Sequence, residues 1–188
     1  SSTPKHLLIY QALGWDIPQI GHFPDILGPD KAKLSKRHGA KSALDYRDEG
    51  YLPEALISFM AYLGWSYQDN SQLLSLPQLI KLFDIAKVQK GNAVFDLPKL
   101  DYFNGKAIRQ KTNAELAEAL KPFVPTLCPM PLALRLIPLV KDRLVKLSDF
   151  AALTTFFYSD ITPDPKLIID QSRKSTPDVL QTLNLLET

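Results

Sequence analysis

Cysteine is almost missing from this 188-residue sequence, with Cys128 as the single thiol. One thiol excludes an intrachain disulfide framework and any multi-cysteine metal site, and it fits a reducing cytosol. Long apolar runs are missing too. Lys, Asp or Pro breaks every such stretch well short of the ~20 residues a membrane helix needs, so a soluble chain with no membrane partner is expected. No charged-then-apolar leader opens the sequence. Neither sign of charge dominates: 22 basic and 20 acidic residues leave +2, too little for bulk electrostatics to announce a nucleic-acid binder. Any basic site has to be local. Glycine is absent after Gly105, where eight of the fifteen prolines fall. A glycine-free, proline-punctuated stretch reads as short helices with rigid starts.

What is present belongs to a folded chain. Hydrophobic residues at 45% and charged residues at 22% lie near globular averages, and a chain of this size buries roughly 70% of its unfolded surface. Thr3-Pro4 reads as a helix start, with Gly14 as its stop. Residues 19–27 read as a strand that Pro24 confines to an edge or a bend. Ser42 with Asp45 forms a capping-box pattern for a helix that Gly50 closes. Pro53 opens another helix, with Ala55, Leu56, Phe59, Met60 and Leu63 at helical spacing before Gly64. Further helices are expected at 76–83, 97–109, 113–121, 131–140, 148–157 and 177–186. The expectation is a mainly α fold with one or two strands near the front. A lone strand cannot satisfy its own backbone, so part of a sheet is expected to be missing upstream.

The densest chemical signal is the run Lys31-Ala32-Lys33-Leu34-Ser35-Lys36-Arg37-His38-Gly39-Ala40-Lys41, with five basic residues, no acid, and a Gly-Pro turn before it. An arbitrary run of this kind is a solvated basic face about twice as often as a site. Ser35 between two lysines, and Gly39 allowing close backbone approach, favour a loop that meets phosphate charge. It is not a Walker loop, because neither G-x-x-x-x-G-K-[ST] nor G-x-G-x-x-G occurs.

Lys33-Leu34-Ser35-Lys36-Arg37 resembles the K-M-S-K-S signature of class I aminoacyl-tRNA synthetases, in the form seen in glutamyl-tRNA synthetases. Leu13-Gly14-Trp15, His22-Phe23-Pro24, Gly50-Tyr51-Leu52-Pro53-Glu54-Ala55-Leu56, Leu63-Gly64-Trp65-Ser66, Val94-Phe95-Asp96 and Phe103-Asn104-Gly105 match that family in order and spacing. The likeness is continuous over about residues 2–110 and looser beyond.

The resemblance implies a remnant of a class I nucleotide-binding sheet followed by stem-contact helices and an all-helical anticodon-binding region. The implied domains are residues 1–41 (end of the catalytic domain), 42–110 (stem contact) and 111–188 (first part of the anticodon-binding region). It implies a parent enzyme that activates glutamate with ATP, Mg2+ assisting, and transfers it to tRNA(Glu) in the cytoplasm as a monomer. Lys36 and Lys33 match catalytic positions. Lys33, Ser35, Lys36 and Arg37 match the ATP-facing loop, and Ile26 and Leu27 match the strand whose main chain lies beside the adenine, although Asp25 stands where relatives usually carry an apolar residue. Arg37, Lys41, Lys99 and Tyr102 are the implied nucleic-acid contacts. No metal site is expected in this chain. Nothing matches the His-Ile-Gly-His tetrapeptide or the glutamate-holding arginine and tyrosine, so the isolated chain is expected to be catalytically incomplete. The alternative is a non-catalytic helical module that binds tRNA or another RNA.

Other chemistry-bearing residues have plainer readings. His6, His22 and His38 lie sixteen apart, which is no metal spacing, although His38 could add a donor to the basic loop. Cys128 reads as a packing residue. Trp15 and Trp65 read as hydrophobic anchors. Asp45, Asp48 and Glu49 read as caps or charge balance for the basic run.

Overall fold

The structure is a computed structural model that describes residues 2–35, 41–68 and 70–159. It divides into two compact units, residues 1–107 and 108–188, and each is described by itself. Among the described residues the chain is mostly helical, and no helix is long and apolar enough to cross a membrane.

In the first unit, α1 spans Thr3–Ala12. Its N-cap is Ser2, one residue earlier than expected and without a side-chain cap bond, because the Thr3 hydroxyl instead meets His22 Nε2 at 3.0 Å. Gly14 follows with φ +63°. The strand expected over 19–27 shrinks to β1, Ile26–Leu27, since Pro24 has no N–H to place in a ladder. β1 pairs in parallel with β2, Ala93–Val94, in the register Ile26↔Ala93 and Leu27↔Val94.

Helix α2, Ala43–Asp48, begins with the expected capping box: the Asp45 N–H donates to Ser42 Oγ at 3.2 Å, and the Ser42 N–H to Asp45 Oδ2 at 2.7 Å. Gly50 adopts φ +93°, which turns the chain into α3, Pro53–Ala61. Helix α4, Leu76–Leu82, and a 3-10 turn at Ile85–Lys87 lead to β2. Helix α5 is Leu97–Gln110.

The core of this unit is aromatic. Phe59, Trp65 and Phe103 are nearly inaccessible to solvent. Tyr62 stacks on both Trp65 and Phe103, at 5.8 and 5.7 Å between ring centres, and Phe59 meets Phe95 edge-on at 5.0 Å. Such pairs add about 0.5–1.5 kcal/mol each beyond their buried area. Buried Asn104 ties the Gly50 turn to α5: its Oδ1 accepts the Leu52 N–H at 2.8 Å, and its Nδ2 donates to the Gly50 carbonyl at 3.3 Å. Trp65 is the expected anchor, whereas Trp15 is 60% exposed and rests edge-on against Tyr10. The glycine before Trp15 ends its helix without turning the ring inward.

In the second unit, α6, Asn113–Leu120, starts with a capping box between Thr112 and Glu115. Helix α7, Met130–Val140, carries Pro138 inside its last turn. Helix α8, Asp149–Thr154, runs into a 3-10 turn at Thr155–Phe157. Leu116 and Leu120 of α6 and Ala133 and Ile137 of α7 are buried at helical spacing, and Leu144 and Phe150 complete a mostly aliphatic core. Cys128 is buried there as a packing residue, and burial pushes its thiol up from the ordinary value. The helix expected at 177–186 lies outside the described residues.

Candidate nucleotide and nucleic-acid surfaces

The basic run grows directly out of β1. The Gly28 N–H donates to the Ala32 carbonyl at 2.8 Å, and the Lys31 N–H to the Gly28 carbonyl at 2.9 Å. Lys31 accepts a left-handed φ of +61° to close this turn. An added Cβ at Gly28 would sit 2.9 Å from Asp30 Oδ1, so a side chain there would push aside the oxygen that receives the Ala32 N–H. The returning segment pairs antiparallel with β1 through Leu27 and Lys33, and the Leu34 N–H donates to the Ile26 carbonyl at 2.9 Å. β1 is therefore hydrogen-bonded along both edges: the Leu27 carbonyl accepts from Phe95 on the other side at 2.8 Å. With these carbonyls committed to the ladder, Ile26 and Leu27 have apolar side chains as their main offering to a ligand. Ile26 is 36% exposed.

Lys33 emerges at the end of this hairpin, mostly in solvent, and its Nζ meets Asp25 Oδ1 at 2.7 Å. Ser35 follows. Lys36 and Arg37, and with them His38, lie outside the described residues. On the far side of that gap, Lys41 forms an ion pair with Glu49 and lies over the Tyr46 ring, 5.9 Å from its centre. The Glu49 carboxylate raises the Lys41 ammonium above its ordinary value. Two of the acidic residues act as expected, Asp45 as a cap and Glu49 as the partner of Lys41, whereas Asp48 pairs with its neighbour Arg47 at 2.9 Å, outside the basic run.

Ile26, Leu34 and Lys41 line one apolar hollow of about 200 Å³ with Ala43, Tyr46 and Phe95. The strand, the start of the loop and its end are thus brought together. Lys99 and Tyr102 are separate from that group, on α5. Lys99 borders a larger hollow, about 570 Å³, with Pro29, Phe59, Tyr62 and Asp96, and its Nζ lies 5.6 Å from the centre of the Tyr62 ring. Tyr102 is 50% exposed and meets Phe103 edge-on. Sequence reasoning missed Lys106, whose Nζ lies 5.7 Å from the centre of the Tyr102 ring. The (i, i+4) spacing of Tyr102 and Lys106 on a helix was the available signal. Among the described residues no group of three or more His, Cys, Asp or Glu side chains is arranged to hold a metal ion.

Comparison with known proteins places these features in a family context. The family model "tRNA synthetases class I (E and Q), catalytic domain" matches residues 1–102, more than half of the chain. The model "Anticodon binding domain" matches residues 115–188. A glutamate–tRNA ligase of Dehalococcoides mccartyi is 45% identical over 186 residues, 94% of this chain and 38% of its own length. One from Borrelia duttonii is 44% identical over 86% of this chain and 34% of its own length. Among solved structures, the glutamate–tRNA synthetase of Elizabethkingia anophelis superposes with a TM-score of 0.70 at 34% identity, covering 85% of this chain and 37% of that one. A glutamate tRNA ligase from Elizabethkingia meningosepticum, in complex with its amino acid, gives 0.73 at 31% identity over 96% and 40%. The chain spans well under half the length of these relatives.

Proposed function

We infer the function from a family membership: this chain belongs to the class I tRNA synthetases of the E and Q type. It acts as the part of a glutamate–tRNA ligase that carries the pyrophosphate-side loop and a tRNA-docking surface. The whole protein activates glutamate with ATP and passes the acyl group to tRNA(Glu) for translation in the cytoplasm. The observation that carries this reading is the β1 hairpin, which delivers Lys33 and Ser35 at the edge of a parallel strand pair, next to an apolar hollow.

The chemistry follows from charge. Adenylate formation releases pyrophosphate, and negative charge grows on the leaving oxygens. Fixed ammonium and guanidinium groups stabilise that growth more than they stabilise bound ATP, which lowers the barrier. Lys33 has a solvent-facing ammonium at the base of the loop. Lys36 and Arg37, outside the described residues, are assigned to the same task, with Lys36 meeting the departing phosphates. Ile26 and Leu27 offer the purine their apolar side chains. Mg2+ would arrive with ATP, held by its phosphates. Residues 1–41, 42–110 and 111–188 are assigned to the catalytic end, the stem-contact region and the start of the anticodon-binding region. Lys41, Lys99 and Tyr102, with Arg37, face tRNA. The protein works as a monomer.

The test uses two proteins. The 188-residue chain is expected to retain tRNA(Glu) in a salt-dependent way and to give no ATP–pyrophosphate exchange. In a full-length protein carrying this segment, Lys36→Ala is expected to slow exchange far more than it weakens tRNA binding, and equal losses would refute the role of the loop. The second reading is a non-catalytic RNA-binding helical module, which the half-exposed Tyr102 and the solvent-facing Lys33 would serve without ATP. It gains if the full-length protein binds tRNA but gives no ATP–pyrophosphate exchange.

A further inference from the structure

We propose that Lys106 is a positioning residue that fixes the Tyr102 ring as a stacking platform for an unpaired base of the docked tRNA, without itself contacting phosphate. The proposal rests on the reading that this face of α5 docks RNA.

Tyr102 and Phe103 are neighbours on α5 with opposite fates. Phe103 is completely buried, whereas half of Tyr102 remains in solvent. The core therefore does not need the Tyr102 ring, yet the ring is held from two directions. Phe103 meets it edge-on at 5.8 Å with an interplanar angle of 65°, and the Lys106 ammonium lies over it at 5.7 Å from its centre. The Lys106 stem leans back one helical turn onto Tyr102, as a helical side chain at i+4 must.

The ammonium is anchored in turn: Lys106 Nζ donates to the Ser71 carbonyl at 3.1 Å. That carbonyl belongs to a fastened segment, because the next residue's carbonyl, Gln72, accepts the Tyr62 hydroxyl at 3.0 Å, and the Leu74 N–H donates to the buried Ser58 hydroxyl at 3.0 Å. A half-buried ammonium tied to a fixed carbonyl and an aromatic face is poorly placed to reach a phosphate. It is well placed to hold a ring. Fixing an exposed aromatic before its ligand arrives removes the rotamer entropy that binding would otherwise cost, and every base presents a π-face to such a platform.

The experiment measures binding of tRNA(Glu) to the 188-residue chain across a salt series. Tyr102→Ala is expected to weaken binding about tenfold. Lys106→Ala is expected to weaken it about three- to tenfold with the slope of log K against log salt unchanged. Lys106→Arg should retain affinity, and Lys106→Ala should add little in the Tyr102→Ala background. A slope reduced by about one in Lys106→Ala would make Lys106 a phosphate contact and overturn the proposal. So would unchanged affinity in Lys106→Ala alongside a loss in Tyr102→Ala, or unchanged affinity in Tyr102→Ala itself. If Lys106→Ala does not fold, Lys106→Met, which keeps the stem over the ring and removes the charge, carries the same expectation. Failure of the unmodified chain to bind tRNA would instead remove the docking reading on which the proposal rests.

Discussion

The Lys33 ammonium and the Asp25 carboxylate meet at 2.7 Å across the hairpin that joins β1 to the basic run, both largely in solvent. An exposed pair of this kind contributes about 0.2–1 kcal/mol and weakens with salt. Asp25→Asn is therefore expected to change unfolding free energy by less than about 1 kcal/mol, with the difference vanishing at high salt. Urea titrations at two ionic strengths check this. A larger, salt-independent loss would mean that Asp25 supports the backbone of the hairpin.

Asn104 is the buried polar residue on which the Gly50 turn depends. Asn104→Ala leaves the Leu52 N–H and the Gly50 carbonyl without this partner, at a cost of about 2–4 kcal/mol. Asn104→Asp keeps the acceptor but buries a carboxylate beside a carbonyl oxygen, so its defect should be worse at pH 7 than at pH 4. Denaturant midpoints at the two pH values report both effects.

Gly64 has φ +98°, and an added Cβ would meet nothing closer than Val88 Cγ1 at 4.0 Å. The expected loss in Gly64→Ala is thus purely conformational, about 1–2 kcal/mol. Gly64→Asn should lose less, since asparagine tolerates the left-handed region better. Equal losses from the two substitutions in thermal melts would point to packing instead.

Glu115 lies below its ordinary carboxylate range, chiefly because it accepts the Thr112 backbone N–H and also the Thr112 hydroxyl. Its folded-state value is depressed, so the contribution is present above the unfolded value and is lost as pH falls through the folded one. Acidification below the usual glutamate range should loosen the start of α6, and Glu115→Gln should flatten that dependence. Amide exchange at residues 113–116 across a pH series reads this out.

Cys128 is buried, and its thiol is shifted toward the protonated form. A thiol-specific reagent should leave the native chain unmodified and react fully once denaturant unfolds the second unit. Rapid labelling of the native chain would contradict the burial.

Much of this protein was readable along the chain. Short-range chemistry decides helix starts and stops, so Ser42 with Asp45, Pro53, and Gly14, Gly50 and Gly64 marked real boundaries. The Thr3 start missed by one residue, because the Thr3 hydroxyl turns to a histidine nineteen positions away. The strand was overdrawn for a similar reason: only Ile26 and Leu27 find ladder partners, one set at 93–94 and another in the returning hairpin.

Residue order alone carried the family signature, the local basic run and the helical periodicity, because those depend on neighbours within a few positions. Three-dimensional packing decided which of two glycine-tryptophan pairs would bury its ring, which carboxylate would answer Lys33, and that Lys106 would hold Tyr102 while reaching back to Ser71. Each of those outcomes turns on side chains meeting across distance in the chain or across a helical turn. Such meetings depend on which segments the fold brings side by side, and residue order alone fixes only the spacing within a helix, such as Tyr102 to Lys106.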